Sequence, residues 1–347
     1  MDFELESYKK SIIDNLTITF NAAVKTLQAQ LVGNINYINS LRINISLKKY
    51  YIQLYTSNYN TAFNKLKSKF ISDVTAINLL TSVPGKRKPS KFALLIGINY
   101  KGTSNELYGC INDTQNIKTL LEDKYGYKNF TFLTDDTNNK PTKPMILKEF
   151  TNLLSNAISG DSLFFLYSGH GTCTTDFNKD ELDGRDELIV PIDATTLNSC
   201  ILDDELNAII KTNLKPGVKL FALFDSCFSG TVLDLKYNYL DSSNLDKLTT
   251  NPNVTETNGQ VCMISGCTDN QTSADTVITD NTIKINNGAM GAMTYSFLNT
   301  IRNSNTNSLT LKSLVQNMRG LLKDNGFTQK PQLSSGILLD INSIVSF

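Results

Sequence analysis

Apolar side chains recur in steps of three and four along the chain between Phe20 and Leu80. This spacing places them on one face of long helices. Residues 8–80 contain no proline and a single glycine, so little in their composition interrupts a helix. The pattern predicts a helical N-terminal region over residues 1–83, arranged as a hairpin or as paired helices with a break near Ser57.

After residue 91 the pattern changes to short continuous apolar runs that alternate with helical segments. Continuous apolar strands separated by helices are typical of a mainly parallel sheet that helices cover on both faces. The predicted fold class is therefore α/β. The predicted strands are 92–98, 130–133, 162–167, 219–224 and 261–265, and the predicted helices are 113–124, 144–158, 203–212 and 292–302.

Two segments lie outside this alternation. Residues 84–91 combine two prolines and a glycine with four basic side chains, which favours a solvated linker over regular structure. Residues 231–260 are rich in Asn, Asp, Ser and Thr and predict a long exposed loop. The predicted organisation is a helical region, a basic linker and a second domain over residues 92–347.

The charge of the chain is balanced overall but divided unevenly. Lys and Arg together number 33, as do Asp and Glu, so no global basic field argues for a nucleic-acid partner. Residues 1–91 hold 13 basic and 5 acidic residues, which leaves 20 basic and 28 acidic residues for the rest. No stretch approaches the about 20 apolar residues of a membrane span, and no secretory signal is recognisable. We therefore expect no membrane partner.

The numbers of cysteine and histidine residues exclude several kinds of site and mechanism. Six cysteines, none before Cys110, are too few for a disulfide scaffold and indicate reduced thiols in a cytoplasmic protein. The single histidine, His170, excludes a His-rich zinc site and any mechanism that needs two imidazoles.

Two predicted strands run directly into turns of small residues that carry His170 and Cys227. If both strands are parallel, these side chains emerge at the same edge of the sheet, where an imidazole can accept the proton of a thiol nucleophile. The backbone N–H groups of Gly171 and Cys227 would then point at a developing oxyanion. A structural histidine and an inert buried cysteine are the alternative.

Five separate segments of the second domain carry a further signal: Ala93–Asn99, Leu107–Asp113, Tyr167–Thr172, Asp225–Gly230 and Ser265–Asp275. In this order along the chain they resemble the metacaspases. The resemblance covers residues 92–335 and implies a caspase-like three-layer α/β sandwich with a Cys–His dyad, cleavage after Arg or Lys, calcium activation and self-processing. It divides the peptidase domain into a large-subunit-like part (92–230), the exposed loop and a small-subunit-like part (261–347).

A preference for basic substrates has a physical basis in the same segments. Period-2 alternation turns Asp225 and Ser168 to the side of Cys227 and His170, and a carboxylate there pairs with a guanidinium or an ammonium group. By resemblance, the substrate-binding residues are Cys110, Asp113, Ser168 and Asp225. Asp113 also fits the start of a helix, where a carboxylate favours the dipole.

One position departs from the resemblance: metacaspases usually carry His directly after the nucleophilic cysteine, where this chain has Phe228. We expect activity to survive, because His170 supplies the general base.

Clustered carboxylates around residues 176–187 and 203–205 suggest a metal site, and hard oxygen ligands suit calcium better than zinc. Composition alone favours a solvated loop and a helix N-terminus. The resemblance instead points to Asp186, Asp203 and Asp204 as ligands of an activating Ca²⁺.

The sequence therefore predicts a calcium-activated cysteine endopeptidase that is monomeric and acts on protein substrates with Arg or Lys before the scissile bond. The chain would also be its own substrate, within Lys86–Lys91 or at Lys236 or Lys247. Two alternatives stay open: a catalytically idle scaffold that acts through its helical region, and a calcium-independent peptidase of the same clan.

Overall fold

A computed structural model describes residues 3–79, 89–175, 185–227, 230–239, 247–266, 275–277 and 289–347. The chain divides into two compact units, residues 1–88 and residues 89–347. Within the described part of the chain, no helix is long and apolar enough to cross a membrane.

The first unit is a pair of long antiparallel helices, α1 (Phe3–Ser40) and α2 (Ile45–Asn78). Phe20 stacks on Phe70 with 4.7 Å between ring centroids, so the predicted apolar faces meet. The break lies near residue 44 and not near Ser57, which is inside α2. Asn44 has an extended backbone and its side chain accepts a hydrogen bond from the Ser46 N–H at 2.7 Å, which caps the second helix. The proposed linker lies largely outside the described residues.

The second unit is built on an eight-stranded sheet with the strand order β2-β1-β3-β7-β10-β13-β8-β9. The first five strands in this order are mutually parallel, and β13 and β9 run antiparallel to their neighbours. The predicted mainly parallel sheet is confirmed. Its strands are β1 (Lys91–Gly97), β2 (Asn129–Thr134), β3 (Ser162–Ser168), β7 (Lys219–Asp225), β8 (Tyr237–Tyr239), β9 (Leu248–Thr250), β10 (Gln260–Ser265) and β13 (Gln332–Ser335).

Helices cover both faces of this sheet, which gives the three layers expected. Ile117 of α3, Phe297 of α6 and Leu314 of α7 belong to the hydrophobic cluster on one face. Phe150 of α4 and Leu206 of α5 belong to the cluster on the other face. The helices are α3 (Cys110–Tyr125), α4 (Lys143–Ser155), α5 (Asp203–Asn213), α6 (Ala292–Asn303) and α7 (Leu311–Asp324).

Two small sheets stand apart from the main one. One has three antiparallel strands and follows the predicted histidine turn, and the other is a two-stranded ribbon before α6. Their strands are β4 (Gly171–Thr175), β5 (Arg185–Ile189), β6 (Ile201–Leu202), β11 (Asp275–Val277) and β12 (Ala289–Gly291).

The described parts of the stretch 231–260, residues 231–239 and 247–260, differ from the exposed loop that its polar composition predicts. Val232, Leu233 and Leu235 are buried in the hydrophobic cluster of α4 and α5, and β8 joins the main sheet through β13. The few apolar side chains in this polar stretch are enough to pin it to the core, because each buried aliphatic side chain contributes about 1.5–3 kcal/mol.

Candidate active site

The turn that carries His170 and the turn that carries Cys227 lie side by side. Strands β3 and β7 are adjacent and parallel, with Ser168 paired opposite Asp225. The N–H of Gly169 donates to the Asp225 carbonyl at 3.3 Å, which extends the pairing beyond the strands. The segments that carry His170 and Cys227 therefore leave the sheet at the same edge, as the strand pattern requires.

Gly171 brings the histidine turn against the cysteine turn. A Cβ atom at this position would lie 2.1 Å from the carbonyl oxygen of Cys227 and 3.2 Å from Cβ of Ser226. Only glycine permits this approach. The backbones of Gly171 and Cys227 are thus in direct contact at the mouth of the site, and the Cys227 side chain is partly exposed.

The imidazole of His170 has a fixed partner. Its Nε2 lies 2.7 Å from the carbonyl oxygen of Asn105, in the loop between β1 and α3. A carbonyl only accepts, so Nε2 carries the proton in this contact and Nδ1 is the nitrogen that can accept one. Asn105 has no signature in the sequence, because any residue offers a carbonyl.

A buried acidic pair lies beneath this edge of the sheet. Asp113 and Asp225 are 0% and 5% exposed, and the Ser168 hydroxyl donates to Oδ2 of Asp113 at 2.7 Å. The N–H of Gly291 donates to Oδ1 of Asp113 at 3.1 Å, and the N–H of Thr294 donates to Oδ2 of Asp225 at 2.8 Å. The three predicted polar binding residues therefore form one group.

Asp113 lies in the first turn of α3, as the helix-start alternative expects, and its carboxylate accepts the hydrogen bond from Ser168. Its substrate-binding role stays a prediction. Cys110 is buried one turn earlier in the same helix. Gly291, the last residue of β12 and directly before α6, was not predicted to belong to this group. A Cβ there would lie 2.1 Å from Oδ2 of Asp225 and 2.9 Å from Oδ2 of Asp113, and nothing in the local sequence pattern marks that proximity.

A second acidic group lies elsewhere in this unit. Carboxylate oxygens of Glu187, Asp203 and Asp234 all lie within 4.8 Å of one another, and all three residues are buried. Oδ2 of Asp203 also accepts the N–H of Glu187 at 2.5 Å, and the hydroxyl of Thr231 donates to the Glu187 carboxylate. Three separate segments of the chain thus converge on one point.

This group contains one of the three predicted metal ligands, Asp203, but neither Asp186 nor Asp204. Alternation along β5 turns Asp186 to the face opposite Glu187, and Asp204 follows Asp203 by about 100° around α5. The sequence contained the first signal, since Glu187 belongs to the acidic run. Asp234 lies in the stretch that was predicted to be an exposed loop, so its position beside Glu187 and Asp203 was not predicted.

Comparison with known proteins identifies relatives over most of the chain. A family model described as "Metacaspase, peptidase C14 domain" matches residues 91–236. Metacaspase-1 of Meyerozyma guilliermondii is 38% identical over 312 residues, which cover 76% of this chain and 72% of that protein. Metacaspase-1 of Eremothecium gossypii is 40% identical (74% and 66% covered), and that of Kluyveromyces lactis is 39% identical (74% and 68% covered).

The fold has a counterpart among solved structures. The crystal structure of protein GSU0716 from Geobacter sulfurreducens superimposes with a TM-score of 0.53 at 22% sequence identity, covering 74% of this chain and 97% of that one. At this identity the likeness supports the architecture alone.

Proposed function

The chain belongs to the metacaspase family and is a cysteine endopeptidase, and we propose that it is a calcium-activated enzyme that cleaves after Arg or Lys through Cys227 and His170. The observation that carries the assignment of the dyad is the parallel register of β3 and β7, together with the contact between Gly171 and Cys227.

In this mechanism Nδ1 of His170 accepts the thiol proton as the sulfur of Cys227 attacks the scissile carbonyl carbon. The N–H groups of Gly171 and Cys227 donate to the oxyanion of the tetrahedral intermediate. As that intermediate collapses, the imidazolium returns its proton to the leaving amine, and a thioester remains on Cys227. Water, deprotonated by His170, then hydrolyses the thioester and restores the thiol. Throughout, the Asn105 carbonyl holds Nε2–H.

The acidic pair supports a basic residue immediately before the scissile bond (P1). Asp113 and Asp225 bring two buried carboxylates into one group, where they accept hydrogen bonds from the Ser168 hydroxyl and from the backbone N–H groups of Gly291 and Thr294. These donors carry no positive charge. Buried carboxylates are stable only when charge or hydrogen bonds compensate them, and a guanidinium supplies both. An acidic P1 side chain would meet like charge at the same place and would be rejected.

The group of Glu187, Asp203 and Asp234 supports calcium. Three buried carboxylates within 4.8 Å repel one another unless a cation compensates them, and hard oxygen donors suit Ca²⁺. Backbone carbonyls or water would complete the six to eight ligands that calcium usually takes. Bound calcium would offset two of the three negative charges of the group and would fix the segment that follows Cys227, to which Thr231 and Asp234 belong.

Self-processing is best supported at Lys247. This residue directly precedes β9 and is exposed. Lys236 directly precedes β8 but is half-buried, and its carbonyl accepts the Asn251 N–H at 2.9 Å. Lys91 belongs to β1, and its ammonium donates to the Phe347 carbonyl at 2.7 Å. A protease needs an extended, accessible substrate, so cleavage at Lys236 or Lys91 would require strands to open. The other basic residues of Lys86–Lys91 lie outside the described residues.

Peptides that differ only at P1 test this function. With calcium, the account expects turnover of Arg and Lys peptides and none of an Asp peptide, and it expects chelator to abolish turnover. Asp225→Asn should lower kcat/KM for the Arg peptide by about 100-fold, since one buried charge partner is lost. Turnover of the Arg peptide at the same rate with calcium and with chelator would favour the calcium-independent alternative. No turnover of any peptide in either condition would favour the idle scaffold.

Calorimetric titration with calcium tests the ligand set independently of activity. Asp234→Asn should weaken binding by at least tenfold, because a carboxylate ligand is replaced by a neutral amide. Asp204→Asn is the matched control and should leave the affinity unchanged. If Asp204→Asn weakened calcium binding and Asp234→Asn did not, the ligand set Asp186, Asp203 and Asp204 would be favoured instead.

A further inference from the structure

Two buried tyrosine hydroxyls hold the backbone of the only histidine in the chain. The N–H of His170 donates to the hydroxyl oxygen of Tyr100 at 2.9 Å, and the Tyr167 hydroxyl donates to the His170 carbonyl at 2.7 Å. The two hydroxyl oxygens lie 3.3 Å apart. Both backbone polar groups of His170 are therefore tied to the interior of the sheet.

Tyr100 also contacts the imidazole itself. Its ring lies 4.6 Å from that of His170, centroid to centroid, at an angle of 36°. Its hydroxyl donates to the Val190 carbonyl at 2.6 Å, in the segment directly after β5. The loop that contains Tyr100 also contains Asn105, whose carbonyl holds Nε2. One loop thus orients the imidazole through its ring, its Nε2 and its backbone N–H.

The backbone at Tyr100 is held in an uncommon conformation. Its φ is +49°, in the left-handed region that non-glycine residues seldom adopt. The carboxylate of Asp135 accepts the N–H of Asn99 at 2.7 Å and the N–H of Lys101 at 3.0 Å, so one side chain fixes the residues on both sides. Strain of this kind persists only where the surroundings enforce it, and it concentrates at functional sites.

We propose that Tyr100 is a positioning residue that orients the imidazole of His170 for catalysis, and that Asp135 holds Tyr100 in the conformation this requires. The inference rests on the proposed dyad of Cys227 and His170. Tyr100 acts through His170 and touches no reacting atom. Without the Tyr100 hydroxyl, the His170 N–H loses its hydrogen-bond acceptor and the histidine turn shifts. The imidazole is then no longer held in one orientation relative to the Cys227 thiol.

Tyr100→Phe tests the proposal, and Tyr127→Phe is the matched control. Tyr127 is fully buried, and its hydroxyl has no hydrogen-bond partner within the described part of the chain. With the Arg peptide and calcium, Tyr100→Phe should lower kcat by about 10- to 100-fold, since small displacements of catalytic groups have effects of this size. KM should stay within about twofold, because the acidic pair is unchanged. Tyr127→Phe should change neither constant.

A readout that does not depend on activity is available because His170 is the only histidine. In protein without an affinity tag, ¹⁵N-labelled histidine gives the tautomer and the pKa of this one imidazole directly by NMR. Wild type and Tyr127→Phe should show the Nε2–H tautomer. Tyr100→Phe should show a mixture of both tautomers, and Asp135→Asn should shift the spectrum in the same direction.

The outcomes separate this inference from the proposed function. Activity in Cys227→Ala or His170→Ala would overturn the dyad itself. Loss of activity in those two variants, combined with kcat and NMR spectra of Tyr100→Phe that match Tyr127→Phe, would overturn only the positioning role. A lower unfolding temperature in Tyr100→Phe with unchanged kcat and tautomer would likewise assign Tyr100 a purely structural role and contradict the proposal.

Discussion

At the scale of single residues, the candidate site depends on close approaches that side chains would prevent. Gly171 allows the histidine turn to touch the carbonyl of Cys227, and Gly291 allows the start of α6 to reach Asp113 and Asp225. In the proposed function both glycines lie beside the groups that bind the substrate, so we expect their substitution to affect catalysis more than folding. Sequence patterns cannot reveal such approaches, because they depend on segments that are far apart in the chain.

Gly291→Ala should reduce recognition of a basic P1 residue. The added methyl group would lie 2.1 Å from a carboxylate oxygen of Asp225, so the carboxylate must turn away from the substrate. We expect kcat/KM for the Arg peptide to fall by about 10- to 200-fold, the usual effect of one methyl group in a specificity pocket.

Gly320→Ala is the control for that substitution. Nothing lies within 4 Å of the position of its Cβ, in the interior of α7. Alanine there should raise the free energy of unfolding by about 0.5–1 kcal/mol and leave kcat/KM unchanged. Equal losses of kcat/KM in both variants would contradict a specific role for Gly291.

Thiol reactivity gives a second test at this scale. Burial raises the pKa of the Cys262 thiol to about 12 and also raises the pKa of Cys200. A raised pKa lowers the thiolate fraction at a given pH, so burial makes both thiols less reactive than they would be in solvent. Native protein treated with iodoacetamide should therefore be modified at the partly exposed Cys227 before either of them, as peptide mass mapping would show. Faster modification of Cys262 would contradict the burial that the structure gives it.

At the scale of elements, the strands of the parallel sheet were predictable because they are continuous apolar runs. All five predicted strands match β1, β2, β3, β7 and β10 to within two residues at each end. Short elements in polar sequence, such as β8 and β9, were missed, since their stability comes from sheet pairing and not from their own composition. The same stretch contains Asp234, so its approach to Glu187 and Asp203 was not predicted, and the calcium ligand set of Asp186, Asp203 and Asp204 stays a prediction.

The segment around β8 and β9 carries the prediction on self-processing. Lys247→Gln should prevent the calcium-dependent cleavage of the chain, whereas Lys236→Gln should not, because Lys236 is held by a hydrogen bond to Asn251 at the start of β8. Intact-mass measurement after incubation with calcium distinguishes the two variants, with Cys227→Ala as the uncleaved control. Cleavage that persists in Lys247→Gln and stops in Lys236→Gln would show that β8 opens before processing.

At the scale of the whole molecule, the candidate chemistry is confined to one of the two units. Every proposed catalytic, substrate-binding and calcium-binding residue lies within residues 89–347, and so do both hydrophobic clusters of that unit.

A unit with its own core can fold alone. Residues 89–347, expressed alone, should unfold cooperatively and turn over the Arg peptide with kcat/KM within about threefold of the full chain. A large gain in kcat/KM would instead identify the helical region as an inhibitor, and a large loss would make it part of the active enzyme.

The central claim is that Cys227 is a nucleophile activated by His170 and directed at basic substrates. The most direct measurement is the mass of the covalent adduct formed with a peptidyl chloromethyl ketone that carries Arg at P1, in the presence of calcium. The account predicts one adduct, on the peptide that contains Cys227, with none in His170→Ala and far less with an Asp reagent. Labelling of folded protein at another cysteine, or labelling of Cys227 at equal rates with and without His170, would contradict it.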